Sequence, residues 1–250
     1  MTNIPNSSID LSTARRVGLI GDVHTEAEIL ERAIRDLRAL GADIVLCVGD
    51  IANGCGDLAR CCDLLEHHDV LTVRGNHDRW LLNDLAQDPE DPAVRRRLPA
   101  AVLTHLTHLR RDVPARTVRF LTSLPATRTF ATRRGELMLC HGLGANDVAG
   151  ITPDQAAESV AADIELQALL ASAELRIVLN GHTHHRMVRH FDHLTIVNAG
   201  TLHPAQEPGA VLLNLAEGSV LWLPLAEGSA SGPEILGALA RVTGSGGPDV

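Results

Sequence analysis

Six short apolar runs in this sequence each stop at a cluster of Asp, Asn, Gly and His. Residues 17–20 lead into Gly21-Asp22-Val23-His24, 44–48 into Gly49-Asp50, and 70–73 into Arg74-Gly75-Asn76-His77-Asp78. Residues 137–140 lead into His141-Gly142, 177–179 into Asn180-Gly181-His182-Thr183-His184, and 195–197 into Asn198-Ala199-Gly200. Apolar runs of this length, bounded by turn residues, read as buried strands. Ligands of open α/β proteins bind beyond the carboxyl ends of the strands. The six ends can therefore bring carboxylates, amides and imidazoles to one place. That mixture of hard oxygen and imidazole donors suits a pair of divalent ions.

Between the first two runs, Ile29, Leu30, Ala33, Ile34, Leu37 and Leu40 recur at helical spacing, and Gly41 stops the pattern. Thr25 and Glu28 read as a capping box at its start. Residues 17–48 thus form a βαβ unit, which implies a parallel pairing. A helix over 57–66 and a strand over 70–73 follow. Residues 79–125, punctuated by Pro89, Pro92 and Pro99, read as a helical insertion beside the strand ends, with helical stretches over 79–86, 93–110 and 116–123. Residues 127–140 read as a hairpin turning at Arg133-Arg134-Gly135, 153–171 as helix, and 210–223 as a second hairpin turning at Glu217-Gly218. Late antiparallel pairs beside an early parallel unit predict an α/β fold with mixed sheets. Residues 1–14 are expected to be a loose N-terminus and 15–225 one domain. From 226 a Gly-, Ser- and Ala-rich tail is expected, with a short helix over 233–242 and disorder after it.

Composition narrows the function. A chain of 250 residues that is 45% hydrophobic can bury a sizeable core. Net charge is −9 and aromatics are 2%, so neither the basic footprint nor the stacking platforms of a nucleic-acid binder are evident. Residues 93–135 hold ten Arg against one acid, Asp112. They read first as a solvated helix surface, and second as a positive rim that attracts a phosphorylated substrate. The five Cys include no CxxC pair, so a disulfide framework is not expected and a reducing cytoplasm fits. No apolar run approaches the length that spans a bilayer.

Asp22 and His24, two apart on a loop, can grip one ion from the same side. Asp50 follows a glycine at a matching strand end. Asn76 offers a neutral carbonyl ligand, which leaves His77 free to act on a substrate, with Asp78 expected to hold its ring and favour the protonated form. His182 and His184 suit one imidazole for each of two neighbouring ions, and His141 adds another. His203 is a weaker candidate at the edge of the site. The remaining histidines read as solvated, and His185 points away by strand alternation.

Asp22-x-His24, Gly49-Asp50, Gly75-Asn76-His77-Asp78, His141 and Gly181-His182-x-His184, in this order, resemble the calcineurin-like metallophosphoesterase superfamily over residues 17 to about 215. Asn198-Ala199-Gly200-Thr201 resembles the Asn-x-Gly-Ser/Thr stretch of its small bacterial and archaeal phosphodiesterase branch. The resemblance implies a four-layer α/β/β/α sandwich with a dinuclear centre. It assigns Asp22, His24, Asp50 and His184 to one ion. Asp50 bridges to the second, which Asn76, His141 and His182 complete. His77 matches the catalytic histidine. The Asp-Arg-Gly of protein Ser/Thr phosphatases is absent after Asp50, and Asp78 stands where they carry Glu, which argues against that branch.

The expected activity is hydrolysis of a small phosphorylated substrate, diesters before monoesters. Two ions about 3.5–4 Å apart would arm a hydroxide, and His77 would protonate the leaving group. No thiolate is in the donor set, so Mn, Fe, Zn or Ni are the expected metals, rather than Ca or Mg. The alternatives are a metal-dependent scaffold without turnover and a nuclease acting on DNA or RNA.

Overall fold

The computed structural model describes residues 9–226, 228 and 232–240. In chain order the elements are β1 (Ile9–Leu11), β2 (Arg16–Ile20), α1 (Ala27–Ala39), β3 (Ile44–Cys47), α2 (Leu58–His67) and β4 (Leu71–Thr72). The insertion follows as α3 (Asn76–Ala86), α4 (Pro92–Arg97), α5 (Ala100–Asp112) and α6 (Ala115–Ser123). The second half holds β5 (Thr127–Thr132), β6 (Gly135–Cys140), α7 (Ala157–Ala161), α8 (Ile164–Leu170), β7 (Leu175–Asn180) and β8 (Met187–Phe191). It ends with β9 (Leu194–Asn198), β10 (Gly209–Asn214), β11 (Ser219–Pro224) and β12 (Glu234–Ala238).

Two six-stranded sheets form, ordered β12-β11-β10-β2-β3-β4 and β1-β5-β6-β7-β9-β8. Both are mixed. β2-β3-β4 and β6-β7-β9 run parallel, while β10 and β8 join antiparallel. Alternation along the strands decides the layering. Val17 and Leu19 of β2, Leu46 of β3, Leu179 of β7 and Val211 and Leu213 of β10 meet in one core between the sheets. Their neighbours Ile20, Val45, Cys47, Ala210 and Leu212 face a second core under α1, α2 and α6. Val178, Leu194 and Ile196 face a third, closed by α8 through Leu166 and Leu169. Three cores separate four layers, so the expected α/β/β/α sandwich is the observed fold.

Several local expectations change. Thr25 does not cap α1. It sits at φ 64°, and its hydroxyl accepts from the Gly56 amide, tying the loop after β2 to the one after β3. The helical stretch over 93–110 is two helices, because Pro99 denies the amide that would continue α4 into α5. The expected helix over 233–242 is strand β12, recruited by the open edge of β11. Residues 9–11 are not loose but add β1 to β5 in parallel. The expectations for residues 1–8 and for the last ten lie outside the described residues. The five cysteines are unpaired, four of them buried. Among the described residues, no helix is long and apolar enough to cross a membrane.

A candidate metal centre at the strand ends

The loops after β2, β3 and β4 come from one sheet and those after β6, β7 and β9 from the other. They are stitched together through their backbones. Val23 and His24 donate to the Asp50 carbonyl at 3.0 and 2.8 Å. Leu202 donates to the Asp22 carbonyl at 2.8 Å, and the Thr201 hydroxyl at 3.0 Å. Asn198 donates to Gly181 O at 2.6 Å and accepts from Gly200 N, which shapes the turn carrying His182 and His184. Of the nine non-glycine residues with positive φ among those described, six sit on these loops: His24, Thr25, Asp50, Asn53, His182 and His184. Such backbone persists only where its surroundings enforce it.

Gly75 shows how close the approach is. A β-carbon there would lie 2.1 Å from Asp50 Oδ1 and 2.4 Å from its backbone nitrogen. Gly75→Ala is therefore expected to lower stability by about 2–4 kcal/mol, and to displace the Asp50 carboxylate. Denaturant unfolding of the metal-free protein checks the first effect, and metal content the second.

All seven predicted ligands converge. Oxygens of Asp22 and Asp50 and a ring nitrogen of His141 lie within 4.8 Å of one another, all buried. His141 Nε2 is 3.3 Å from Asp50 Oδ2 and 2.9 Å from Asn76 Oδ1. His182 Nδ1 is 3.0 Å from the same Asn76 oxygen. His24 Nε2 and His184 Nε2 stand 3.0 Å apart, with Asp22 Oδ2 at 3.9 Å from the latter.

The outer partners set the tautomers. His24 Nδ1 faces the carbonyls of Ala52 and Asn53 at 3.2 and 3.0 Å, and His141 Nδ1 that of Val48 at 2.9 Å. His184 Nδ1 faces Gln206 Oε1 at 2.6 Å. Protons on these Nδ1 atoms leave the Nε2 lone pairs aimed inward, the arrangement typical of metal-ligating histidines. Lone pairs then confront lone pairs at 3 Å, between His24 and His184 and around Asn76. For Asn76 the conflict also disappears if the amide turns to donate to both rings. A cation among these atoms would remove these conflicts together; a proton on His141 Nε2 relieves only its own contact with Asn76. Gln206 was not visible in the sequence, since it lies in a turn without a motif.

The charges fit the same site. Asp22 is fully buried, and burial pushes its carboxyl up to about 6. Burial opposes a charge on His141, yet the contact with Asp50 and the Asp22 and Asp50 charges outweigh it and raise the imidazole to about 9. Burial also works against Asp50, but His141 and the His77 amide hold it below the usual carboxylate range. Burial lowers His24 and His182. Two buried carboxylates face imidazoles with no guanidinium among their ion-pair partners; in the metal-free chain a protonated His141 offsets part of their charge, and a bound cation would take over that role.

His77 lies at the rim, half-buried, in the first turn of α3. Its Nε2 is 3.3 Å from the Asn53 amide nitrogen, and its ring centroid is 5.6 Å from that of His24 and 4.8 Å from Trp80. Asp78 does not hold this ring, contrary to expectation. Its carboxylate turns inward and accepts from the amides of Ile51 (2.9 Å), Ala52 (2.9 Å) and Gly75 (3.0 Å). As the third helical residue it completes a cap for α3 and locks the loop after β3 against the turn after β4. Asp78→Asn would set an NH2 group against those donors. It is expected to cost about 2–3 kcal/mol in thermal or chemical unfolding.

The Arg-rich segment mostly serves the fold. Arg95 pairs with Glu90, Arg116 with Asp63, Arg110 with carbonyls at the end of α3, and Arg134 with Leu215 O. Among the described residues, no arginine lines the cleft of about 800 Å³ that opens beside His77 between α3, α5 and the loop at 52–57. A second cleft, of about 450 Å³, opens on the other side, beside His182 and His184. There Arg186 stacks on Trp222 at 3.8 Å. His203 sits near the edge, its ring 6.5 Å from that of His24.

A sandwich with imidazoles and carboxylates gathered at its strand ends is the architecture of a metal-assisted hydrolase. The model of the calcineurin-like phosphoesterase superfamily domain matches residues 16–218, and the chain belongs to that superfamily. It is similar to the uncharacterized protein MJ0912 of Methanocaldococcus jannaschii, 29% identical over 72 residues, which spans 29% of this chain and 30% of that protein. Its fold is shared with the crystal structure of hypothetical protein PH1004 from Pyrococcus horikoshii OT3, at TM-score 0.64 and 16% identity over 84% of this chain and 88% of that one. A metallophosphoesterase from Sphaerobacter thermophilus matches at TM-score 0.57 and 20% identity, over 84% and 87%.

Proposed function

We propose that this phosphoesterase hydrolyses small phosphodiesters with two divalent ions. Asp22, His24, Asp50 and His184 would hold one, and Asn76, His141 and His182 the other, with Asp50 shared. The observation that carries this reading is the convergence of these seven side chains with their lone pairs turned inward. When bound, such ions neutralise phosphate charge and make water nucleophilic near neutral pH. The donor set suits Mn, Fe, Zn or Ni.

The chain's own groups do the rest. Asp22 and Asp50 offset part of the ions' charge yet leave net attraction for an anion. The carbonyls of Val48, Ala52 and Asn53 and the Gln206 side chain keep the rings in register. His77, at the rim, delivers a proton to the departing alkoxide, and Asn53 and Trp80 position its ring. The clefts on either side offer room for two ester arms, which favours a diester over a monoester. The arginine-free wall beside His77 weighs against a nuclease. The unpaired cysteines support a cytoplasmic location.

Reconstitution of the metal-free protein with each metal tests this. Elemental analysis should find two ions per chain, and bis-p-nitrophenyl phosphate should turn over faster than p-nitrophenyl phosphate. Full metal loading with neither ester hydrolysed would refute it.

A further inference from the structure

The cleft beside His77 has an acidic and aromatic wall. Trp80 is 43% exposed, and its indole stands edge-on to the His77 ring. Asp84 lies one turn further along α3, and Asp112 ends α5; both line the cleft. Among the described residues neither carboxylate has a hydrogen bond or an ion pair, although arginines crowd the same segment. Asp57 adds a third carboxylate, already engaged in capping α2. Among the described residues, His105 is the one basic group of the lining besides His77. Leu81, Leu109 and Val113 supply apolar surface between these groups.

We propose that this cleft takes a leaving group carrying a fixed positive charge: an alkylammonium alcohol. The inference rests on the phosphoester reading above and adds the substrate class. Because His77 borders both the candidate centre and the cleft, the alcohol it protonates departs into the cleft. An anionic leaving group, such as a nucleotide or a polyphosphate, would meet Asp57, Asp84 and Asp112, and the guanidinium beside Trp80, that of Arg79, is already paired with Asp147. An ammonium group meets the exposed indole, over which Arg79 lies only loosely at 5.9 Å from the ring centroid, and two free carboxylates, and its methyl groups meet leucine and valine. The reaction balances as an ordinary hydrolysis. The P–O bond to the amino alcohol breaks and the oxygen of water takes its place on phosphorus. The alkoxide takes the His77 proton; the proton that water gives up passes to solvent, and solvent returns one to His77.

The test compares methyl 2-(trimethylammonio)ethyl phosphate with its uncharged carbon isostere, methyl 3,3-dimethylbutyl phosphate, on the Mn²⁺-loaded enzyme. The released choline or dimethylbutanol is measured. The ammonium ester should have a kcat/KM higher by roughly tenfold or more. That ratio should fall toward one in the Asp84→Asn/Asp112→Asn double variant and in Trp80→Leu. All three positions are exposed, so folding is spared. Choline chloride alone should shift the tryptophan fluorescence of the wild-type protein, and 3,3-dimethylbutanol should not. Equal cleavage of the two esters, or equal cleavage of an ester with a carboxylate-bearing arm, overturns the inference while the phosphoesterase reading stands. Failure to hydrolyse bis-p-nitrophenyl phosphate as well would instead overturn the reading beneath it.

Discussion

Changing Asp50 to Asn should reduce turnover by roughly a thousandfold or more, with loss of at least one bound ion. Three facts combine at this position. Its Oδ1 accepts from the His77 amide at 2.9 Å, its Oδ2 lies 3.3 Å from His141, and its backbone carbonyl takes the amides of Val23 and His24 in the loop after β2. The carboxylate thus stands between the two proposed ligand sets and serves both. An amide keeps the shape but removes the charge and one lone-pair face. The substitution therefore separates electrostatics from packing. Circular dichroism should report an intact fold, and elemental analysis a deficit of metal. Two tightly held ions with near-normal rates would remove Asp50 from its bridging role.

The second large effect is expected at His77. Its ring is half-exposed at the mouth of the larger cleft, so His77→Ala should leave the fold and both ions in place. Loss of a general acid typically costs on the order of 10²–10⁴ in rate. That loss should appear with alkyl diesters, whose alkoxides need a proton. It should be far smaller with p-nitrophenyl esters, whose anion leaves unaided. The contrast between leaving groups is the diagnostic. A uniform loss across both would mean that His77 positions the phosphate rather than protonating the alcohol. Retention of full activity on alkyl esters would exclude both roles.

The candidate centre was legible in the sequence because its motifs are local. A strand ending in Gly-Asp or Gly-Asn-His-Asp declares its turn and its candidate ligands within four residues. The helices α1 and α2 were legible for the same reason, from periodicity and a glycine or Asp boundary. What escaped is what depends on distant partners. β1 and β12 are short edge strands whose identity comes from the neighbours they pair with, and β12 carries a pattern that also suits a helix. β8 hides because Arg189 shares the face of Met187 and Phe191 and His190 that of Val188, so neither face is apolar throughout. Asp78 was misread because sequence adjacency to His77 suggested a pair, whereas helix geometry turns consecutive side chains apart. Thr25 was misread because the loop claims its hydroxyl.

The proposed donors come from both halves of the sandwich: Asp22, His24, Asp50 and Asn76 follow strands of one sheet, and His141, His182 and His184 follow strands of the other. No single half owns a complete cage. Any small slip of one slab over its counterpart would spread or crowd the donors before it disturbed either slab internally. Catalytic competence would then act as a caliper on how the leucines and valines sandwiched at the midplane seat together, far from any reacting atom.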